Sequence, residues 1–528
     1  MPSLDTTHLI SRTTVRSHLP FLPFIGLCAW IFAALARVFL LRLGYPLDLE
    51  WMEGGTLAHA LRLARGEALY APPSVDFVSF LYTPLYPAVL CALSKVFGLS
   101  YALGRAVSIL AFAGALALLV AAVRAVARRH DSEELPALAT SAGLLGAAAV
   151  CLAFPFCGAF YDLVRCDSLW LFLVSAGLYA CAPPRGSTPP IVLGALLLAL
   201  AFFTKQTAAP FMVAAAASVA LTSGARRGLA FSAVAFGSTA AGILIEQYRT
   251  DGWFWIYIYR LHQGHQMLPG RIWPETPRIL LDYGFMLLVP IAACALLSAF
   301  RRRLSKPLVH WALMAGTGLA TSAVASATQG AYDNAYIPAV YFGALLSAAC
   351  VVELAAQGAT SGASTDRAAR ILGLLGLGLL AGHTAIRWLD PSPHVPTPQD
   401  RAEARRLLDY LTEQGPGTFV PCHPFYNVLA GGKGHLHVMG ISDVYSWPRR
   451  ITPDPARDAA IKDRFRRSVE DSFRSRRWTR VIDDPAFTDQ LFGLEQYYVR
   501  VDDLARDGRA PRVLTGYPCA ARRVWVPR

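Results

Sequence analysis

Twelve apolar runs dominate this sequence, at 21–43, 82–98, 101–123, 137–157, 167–182, 190–203, 207–222, 228–246, 281–300, 308–328, 337–356 and 371–389. They are continuous rather than alternating, and most approach the roughly 20 residues with which a helix crosses a bilayer. In hydrocarbon every backbone N–H and C=O must be paired internally, so such runs fold as helices; the alternation of a closed barrel is missing. The expected class is an all-α polytopic membrane protein. Composition agrees, since 54% hydrophobic and 16% charged residues over 528 positions leave little polar side chain to cover a soluble body of that size. The first run, Phe21 to Leu41, lacks a small-residue cleavage site and reads as an anchor rather than a cleaved signal.

The net charge of +13 does not point to nucleic acid, because the arginines gather in short loops between apolar runs and no nucleic-acid motif accompanies them. Arg124, Arg128 and Arg129 form one cluster, Arg226 and Arg227 a second, Arg301, Arg302, Arg303 and Lys306 a third, and Arg367 with Arg370 a fourth. The positive-inside rule places all four in the cytoplasm together with Arg12 and Arg16. Parity then requires one run not to span. The run 82–98 carries Pro84, Pro87 and Lys95 and is assigned to the outer surface as a juxtamembrane helix. About eleven spans remain, with the N-terminus inside and the C-terminus outside. The short runs 190–203 and 207–222 are expected to bend around Lys205.

Residues 1–389 thus form a transmembrane domain, and composition changes at Asp390. A linker with Pro391, Pro393, Pro396 and Pro398 leads into a charged helical run near Asp400 to Gln414, followed by β-like runs at Gly417 to Pro421, Thr479 to Ile482 and Tyr497 to Val501. Residues 390–528 are expected to be a small extracytoplasmic α/β domain. Most cysteines lie in apolar runs as small buried groups, whereas Cys422 and Cys519 fall in the C-terminal region, where a disulfide is an option if that region lies outside the cytoplasm.

The ionisable residues gather at the outer ends of the helices. The first outer loop carries Asp48, Glu50 and Glu53 just beyond a membrane helix, and Glu50 and Glu53 share a face once a helix begins. A carboxylate at a membrane-bounded pocket can be shifted toward neutrality and serve as a general base; the plainer reading is that acids mark a wet loop. Arg165 and Asp167 sit at the outer start of one helix, Lys205 interrupts an apolar stretch, and Asn334 occupies an outer turn. Ionisable groups at membrane depth usually face a cavity or a partner, so Arg165–Asp167 is also readable as a structural ion pair and Lys205 as a snorkelling side chain. The second outer loop holds Trp253, Trp255, Tyr257, Tyr259, His262, His265 and Trp273, readable as interfacial anchors or as a cover that stacks on sugars. His262 and His265 have no third ligand nearby for zinc, and His423, His435 and His437 read as surface or turn residues.

The acidic loop with Glu53-Gly54, then Gly66 to Tyr70, Tyr82-Thr-Pro84-Leu-Tyr86-Pro87, Phe97-Gly98, Gly104-Arg105, Arg165-x-Asp167, Thr204-Lys205-Gln206 and Asn334-x-Tyr336-x-x-Pro338 together carry a resemblance. From about residue 20 to 345 the chain resembles the GT-C superfamily of polytopic glycosyltransferases, in the style of bacterial relatives of the protein O-mannosyltransferases and the lipid A aminoarabinose transferase. It departs from them at Met52, where such enzymes often have Asp, so the resemblance does not choose among Glu53, Glu50 and Asp48 as catalytic acid. It implies a polyprenyl-phosphate sugar donor, a lipid, glycan or protein acceptor, and inverting transfer at the outer face of the plasma (inner) membrane. Lys205, Arg165 and Arg105, with Arg271 behind them, are then the cations for the donor phosphate, and Asp167, Tyr82, Asn334 and His265 the substrate-binding residues. No cofactor is favoured, although Asp48, Glu50 and Asp167 are oxygen donors suited to a divalent ion. A transporter is the rival reading; it would place its charges at mid-bilayer on broken helices and show repeat symmetry, and no clear internal repeat is present.

Overall fold

A computed structural model of the chain describes residues 19–128, 134–183, 190–301, 305–357, 364–387, 389–390, 392–446 and 450–528. Arg12, Arg16, Arg129, Arg302, Arg303 and Pro391 lie outside the described residues. Helices α1 (Leu22–Leu43), α2 (Glu53–Ala64), α3 (Leu85–Phe97), α4 (Tyr101–Ala127), α5 (Leu135–Leu152), α6 (Asp167–Cys181), α7 (Ile191–Thr204), α8 (Ala209–Ser223) and α9 (Ala225–Arg249) are followed by α10 (Phe285–Arg301), α11 (Lys306–Ser326), α12 (Ile337–Gln357) and α13 (Ser364–Ile386). With α2 and α3 set aside, these helices coincide with the eleven expected spans. Among the described residues seven are both long and apolar enough to cross a membrane, and an eighth span is possible if the pair Pro269–Tyr283 and Met286–Ala299, bent by 94°, is counted as one. The others, α6, α7 and α8, have fewer than eighteen residues. The protein is a multi-pass membrane protein. Counted along the helix order with α2 and α3 set aside, the basic residues Arg124, Arg226, Arg227, Lys306 and Arg367 fall at one set of alternate connections and the loop carboxylates at the other.

The bundle is built around α12, which is almost wholly buried and packs against α4, α5, α10, α11 and α13. Small residues let these helices approach closely. A methyl group on Gly318 of α11 would sit 2.8 Å from the Pro338 carbonyl oxygen, and one on Gly146 of α5 would sit 3.3 Å from the Ala344 oxygen. Helix α7 ends because Lys205 takes an extended conformation, φ −157° and ψ 130°, and a single 3-10 turn restarts the chain as α8. The expected bend at Lys205 is therefore present. Helix α3 is short and packs against α2, α4 and α7.

Beyond α13 the chain forms α14 (Pro398–Gln414), whose start is fixed by a reciprocal cap between Thr397 and Asp400. It continues through β1 (Thr418–Phe419), α15 (Pro455–Arg474), β2 (Arg480–Asp483), β3 (Tyr498–Asp503) and β4 (Arg523–Pro527), in a sheet of order β1-β2-β4-β3. The pair β1–β2 is parallel and the other two pairs are antiparallel. Three of these strands match the β-like runs of the sequence. The fourth, β4, was not expected, although Arg-Val-Trp-Val alternates as a strand should.

The close contact at Gly318 makes a controlled prediction. Gly318→Ala should lower the thermal midpoint in detergent, because overpacking costs about 1–3 kcal/mol. Gly316→Ala on the same helix, with nothing within 4 Å of the added carbon, should be neutral or stabilising.

Candidate functional site

The first loop is shaped by one buried ion pair. Glu53, the first residue of α2, and Arg105, one turn into α4, both have side chains with no solvent exposure, and Arg105 Nη2 lies 2.7 Å from Glu53 Oε2. Arg105 Nε donates to Oε1 at 3.1 Å, and the remaining guanidinium donors go to the carbonyls of Arg42, Tyr45 and Leu47 at 3.1, 2.6 and 2.7 Å. Glu53 also accepts from the Leu49 amide at 2.6 Å and the Val164 amide at 2.9 Å. Burial alone would raise this carboxyl, but Arg105 and the two amides hold it below the usual range. Arg105, expected among the phosphate-binding cations, is thus spent on Glu53 and three carbonyls.

Asp48 turns its Oδ1 to the Gly54 amide at 2.8 Å and its Oδ2 to His423 Nδ1 at 2.6 Å. Its own amide donates to the Tyr426 hydroxyl at 3.3 Å. Burial raises this carboxyl against the pull of His423. Gly54 and Gly55 are required here. A carbon added at Gly54 would fall 2.9 Å from the Tyr101 hydroxyl, and one at Gly55 would fall 2.3 Å from the Phe80 ring.

Glu50 is the carboxylate in an intermediate state. Its Oε2 accepts from Arg165 Nη1 at 3.1 Å and from the Met52 amide at 3.2 Å. Burial pushes the Glu50 carboxyl up to about 7 against the lowering pull of Arg165, with the Glu53 charge adding to the rise. Arg165 donates its other nitrogen to the Tyr82 hydroxyl at 2.9 Å, and a small cleft lined by Thr56, His59, Phe80, Tyr82 and Arg165 lies alongside.

Arg165 and Asp167 do not pair with each other, which corrects that reading of the sequence. Asp167, at the start of α6, accepts from Lys205 Nζ at 2.7 Å and Asn334 Nδ2 at 3.1 Å, both on Oδ1. Its Oδ2 is buried and has no hydrogen-bond partner among the described residues. Lys205 is therefore paired rather than snorkelling. The Lys205 corner is anchored to the segment bearing Tyr82, because Gln206 donates to the Leu81 carbonyl at 2.7 Å and Thr83 to the Phe202 carbonyl at 2.9 Å.

The structure thus gathers Glu50, Arg165 and Tyr82 in one set and Asp167, Lys205 and Asn334 in another. His265 is apart from both; it bonds the Gln329 carbonyl at 3.0 Å and lies 3.9 Å from Asp443 of the C-terminal region. Arg271 is exposed. Of the second-loop aromatics, Tyr257 is buried while Trp273 stands 81% exposed. Asp48, Glu50 and Asp167 each face a different basic side chain, and no metal-holding group of three or more His, Cys, Asp or Glu occurs among the described residues.

His423, His435 and His437 are not surface or turn residues as the sequence suggested; all three are buried. His435 Nε2 accepts from the Val420 amide at 2.9 Å. His437 Nδ1 accepts from the Met439 amide at 3.0 Å, so its Nε2–H donates to the Trp51 carbonyl at 3.0 Å. Burial lowers His437 to about 3, so it is neutral. Several partners that sequence reasoning missed come from this region. Leu514 and Thr515 donate their amides to the Leu49 carbonyl at 2.9 and 3.2 Å, and Gly516 lies directly over Glu50, where an added carbon would be 2.8 Å from its Cγ. No local signal could have joined residues so far apart in the chain.

No protein-family model and no curated protein matches this chain. Its structure is similar to the crystal structure of ArnT from Cupriavidus metallidurans in the apo state, with TM-score 0.58 and 15% identity over 95% of this chain and 98% of that one. The same protein bound to undecaprenyl phosphate matches over the same shares with TM-score 0.53 and 15% identity. This likeness shows the fold alone, a polytopic helical architecture with a small C-terminal α/β region.

If the Glu53–Arg105 pair frames the site, Arg105→Met should destabilise the protein by about 3–5 kcal/mol, because it leaves a buried charge unpaired. The double variant Arg105→Met with Glu53→Gln should recover part of that loss. Thermal unfolding of the three variants in detergent measures this, and equal losses for single and double variants would remove the pair from its framing role.

Proposed function

We propose that this protein is a glycosyltransferase that moves a sugar from a polyprenyl phosphate to an acceptor hydroxyl at the outer face of the plasma membrane. The carrying observation is Glu50: a buried carboxyl raised to about 7, bonded to Arg165, beside a second cationic set built on Lys205. Support for the donor class comes from the fold, which is shared with a protein crystallised with undecaprenyl phosphate. Support for the sidedness comes from the basic residues, which fall at the connections alternate to those of the loop carboxylates, with residues 390–528 as the outer domain.

In this reading the acceptor hydroxyl gives its proton to Glu50 as its oxygen attacks the anomeric carbon. The bond from that carbon to the phosphate oxygen breaks in line, and the configuration inverts. The departing phosphate takes up negative charge, which Arg165 and Lys205 neutralise in a site screened from water. A phosphate that draws Arg165 toward itself also loosens its hold on Glu50 and makes that carboxylate a better base. Asp167 Oδ2, unpartnered among the described residues and with Asn334 and Tyr82 nearby, suits the hydroxyls of the sugar. Glu53 and Asp48 then hold the loop rather than take the proton. No cofactor or metal enters this scheme.

The test is release of free polyprenyl phosphate by purified protein from a panel of polyprenyl-phosphate sugars, with a membrane extract as the source of acceptor. Wild type should release it and Glu50→Gln should fall by about a hundredfold or more. Near-normal release by Glu50→Gln in a folded variant removes Glu50 as base. Because the base must be deprotonated, the wild-type rate should climb about tenfold per pH unit below about 7 and level off above it. A flat profile from pH 5 to 8 contradicts the assignment.

A further inference from the structure

Two segments of the C-terminal region end on the first loop. The segment 419–426 brings His423 to Asp48 at 2.6 Å and the Tyr426 hydroxyl to the Asp48 amide at 3.3 Å. The segment 513–520 pairs Thr515 with Glu50 as a short parallel bridge, lays Gly516 over the Glu50 side chain, and sets the Tyr517 ring 5.4 Å from that of Trp51. Between them lie Cys422 and Cys519, which are 0% and 1% exposed and belong to one apolar cluster with Trp51, Val438 and Phe487. Both are thiols in the structure, and the two side chains are close enough to interact electrostatically. Their backbones are fixed by neighbouring bonds, from the His423 amide to the Val420 carbonyl at 2.9 Å and from the Ala520 amide to Asp484 at 2.8 Å.

We propose that Cys422 and Cys519 are the two halves of a disulfide that ties the segment holding Asp48 to the strap covering Glu50. The inference rests on the sidedness proposed above, because a stable disulfide needs an oxidising compartment. Each thiol loses a proton and an electron as the sulfur–sulfur bond forms. The two electrons and two protons pass to the disulfide of a thiol–disulfide oxidoreductase, which leaves as its dithiol. Both sulfurs are buried once the cluster closes, so the exchange happens while the domain folds. A second pair supplies the contrast. Cys294 on α10 and Cys350 on α12 are also close enough to interact, but inside the helix bundle, where no oxidoreductase of the outer compartment reaches them.

The test uses the full chain extracted from membranes in the presence of N-ethylmaleimide, then denatured, digested and examined by mass spectrometry. The expected result is a linked peptide pair carrying Cys422 and Cys519, with Cys294 and Cys350 both alkylated. Alkylation of Cys422 and Cys519 to the same extent as Cys294 overturns the proposal. A phosphatase active only outside the cytoplasm, fused after Arg528, separates the two ways of failing. An active fusion with alkylated thiols sinks the disulfide alone, whereas an inactive fusion sinks the sidedness and the disulfide with it. Dithiothreitol should also lower the thermal midpoint of wild type by roughly 5 °C or more and leave that of the double variant Cys422→Ser, Cys519→Ser unmoved. Equal shifts in both proteins count against the bond.

Discussion

Arg105 and Glu53 meet at 2.7 Å with neither side chain exposed to solvent, and the geometry of everything around the site follows from that contact. An isolated charge at this depth costs several kcal/mol, so the pair persists only because every donor and acceptor is used. Five hydrogen bonds from Arg105 and two amides given to Glu53 fold residues 42–53 into a cup at the end of α1. The Val164 amide is one of those donors, so the same carboxylate that starts α2 also fixes the turn that presents Arg165. A single ion pair in this way sets the distance between the first loop and the cations opposite it.

The same pair explains why three carboxylates on one loop have three fates. At an effective dielectric near 20, two unit charges about 4 Å apart interact by about 4 kcal/mol, enough to move a pKa by several units. Glu53 receives that interaction in full and stays charged. Asp48 faces an imidazole from another part of the chain, and burial raises it against that partner. Glu50 shares its cation with Tyr82, and sits close enough to Glu53 to be repelled by it, so burial dominates and the proton is held near neutrality. The division of labour is electrostatic, and no property of Glu50 in isolation would produce it.

Much of this was legible in the sequence, and the reason is the period of the signal. Apolar runs are local, so the helices of the bundle, the break at Lys205 and the short helix α3 could all be read from neighbours in the chain. The pairing of charges could not. Arg165 and Asp167 are two residues apart and look like partners, yet Arg165 lies before α6 and Asp167 begins it, so their side chains diverge to Glu50 and Lys205. The histidines failed for a related reason. His423 looks like an ordinary polar residue beside a proline, and only docking against the first loop turns it into the buried partner of Asp48.

That docking makes the C-terminal region part of the site rather than an appendage. Trp51 is enclosed by His437, Phe487 and Tyr517, with ring centroids 5.0, 5.6 and 5.4 Å away, and all three belong to the C-terminal region. The first loop therefore has two sets of restraints, Arg105 and Val164 from the bundle side and His423, Leu514 and Thr515 from the other. A loop held from the bundle side alone would leave Asp48 Oδ2 and the Leu49 carbonyl without these partners, at about 1–3 kcal/mol for each group left buried and unsatisfied. The two parts of the chain are thus coupled through the carboxylates themselves: any movement that lifts the strap at 513–517 also exposes Glu50 to water and relaxes the burial that raises its pKa.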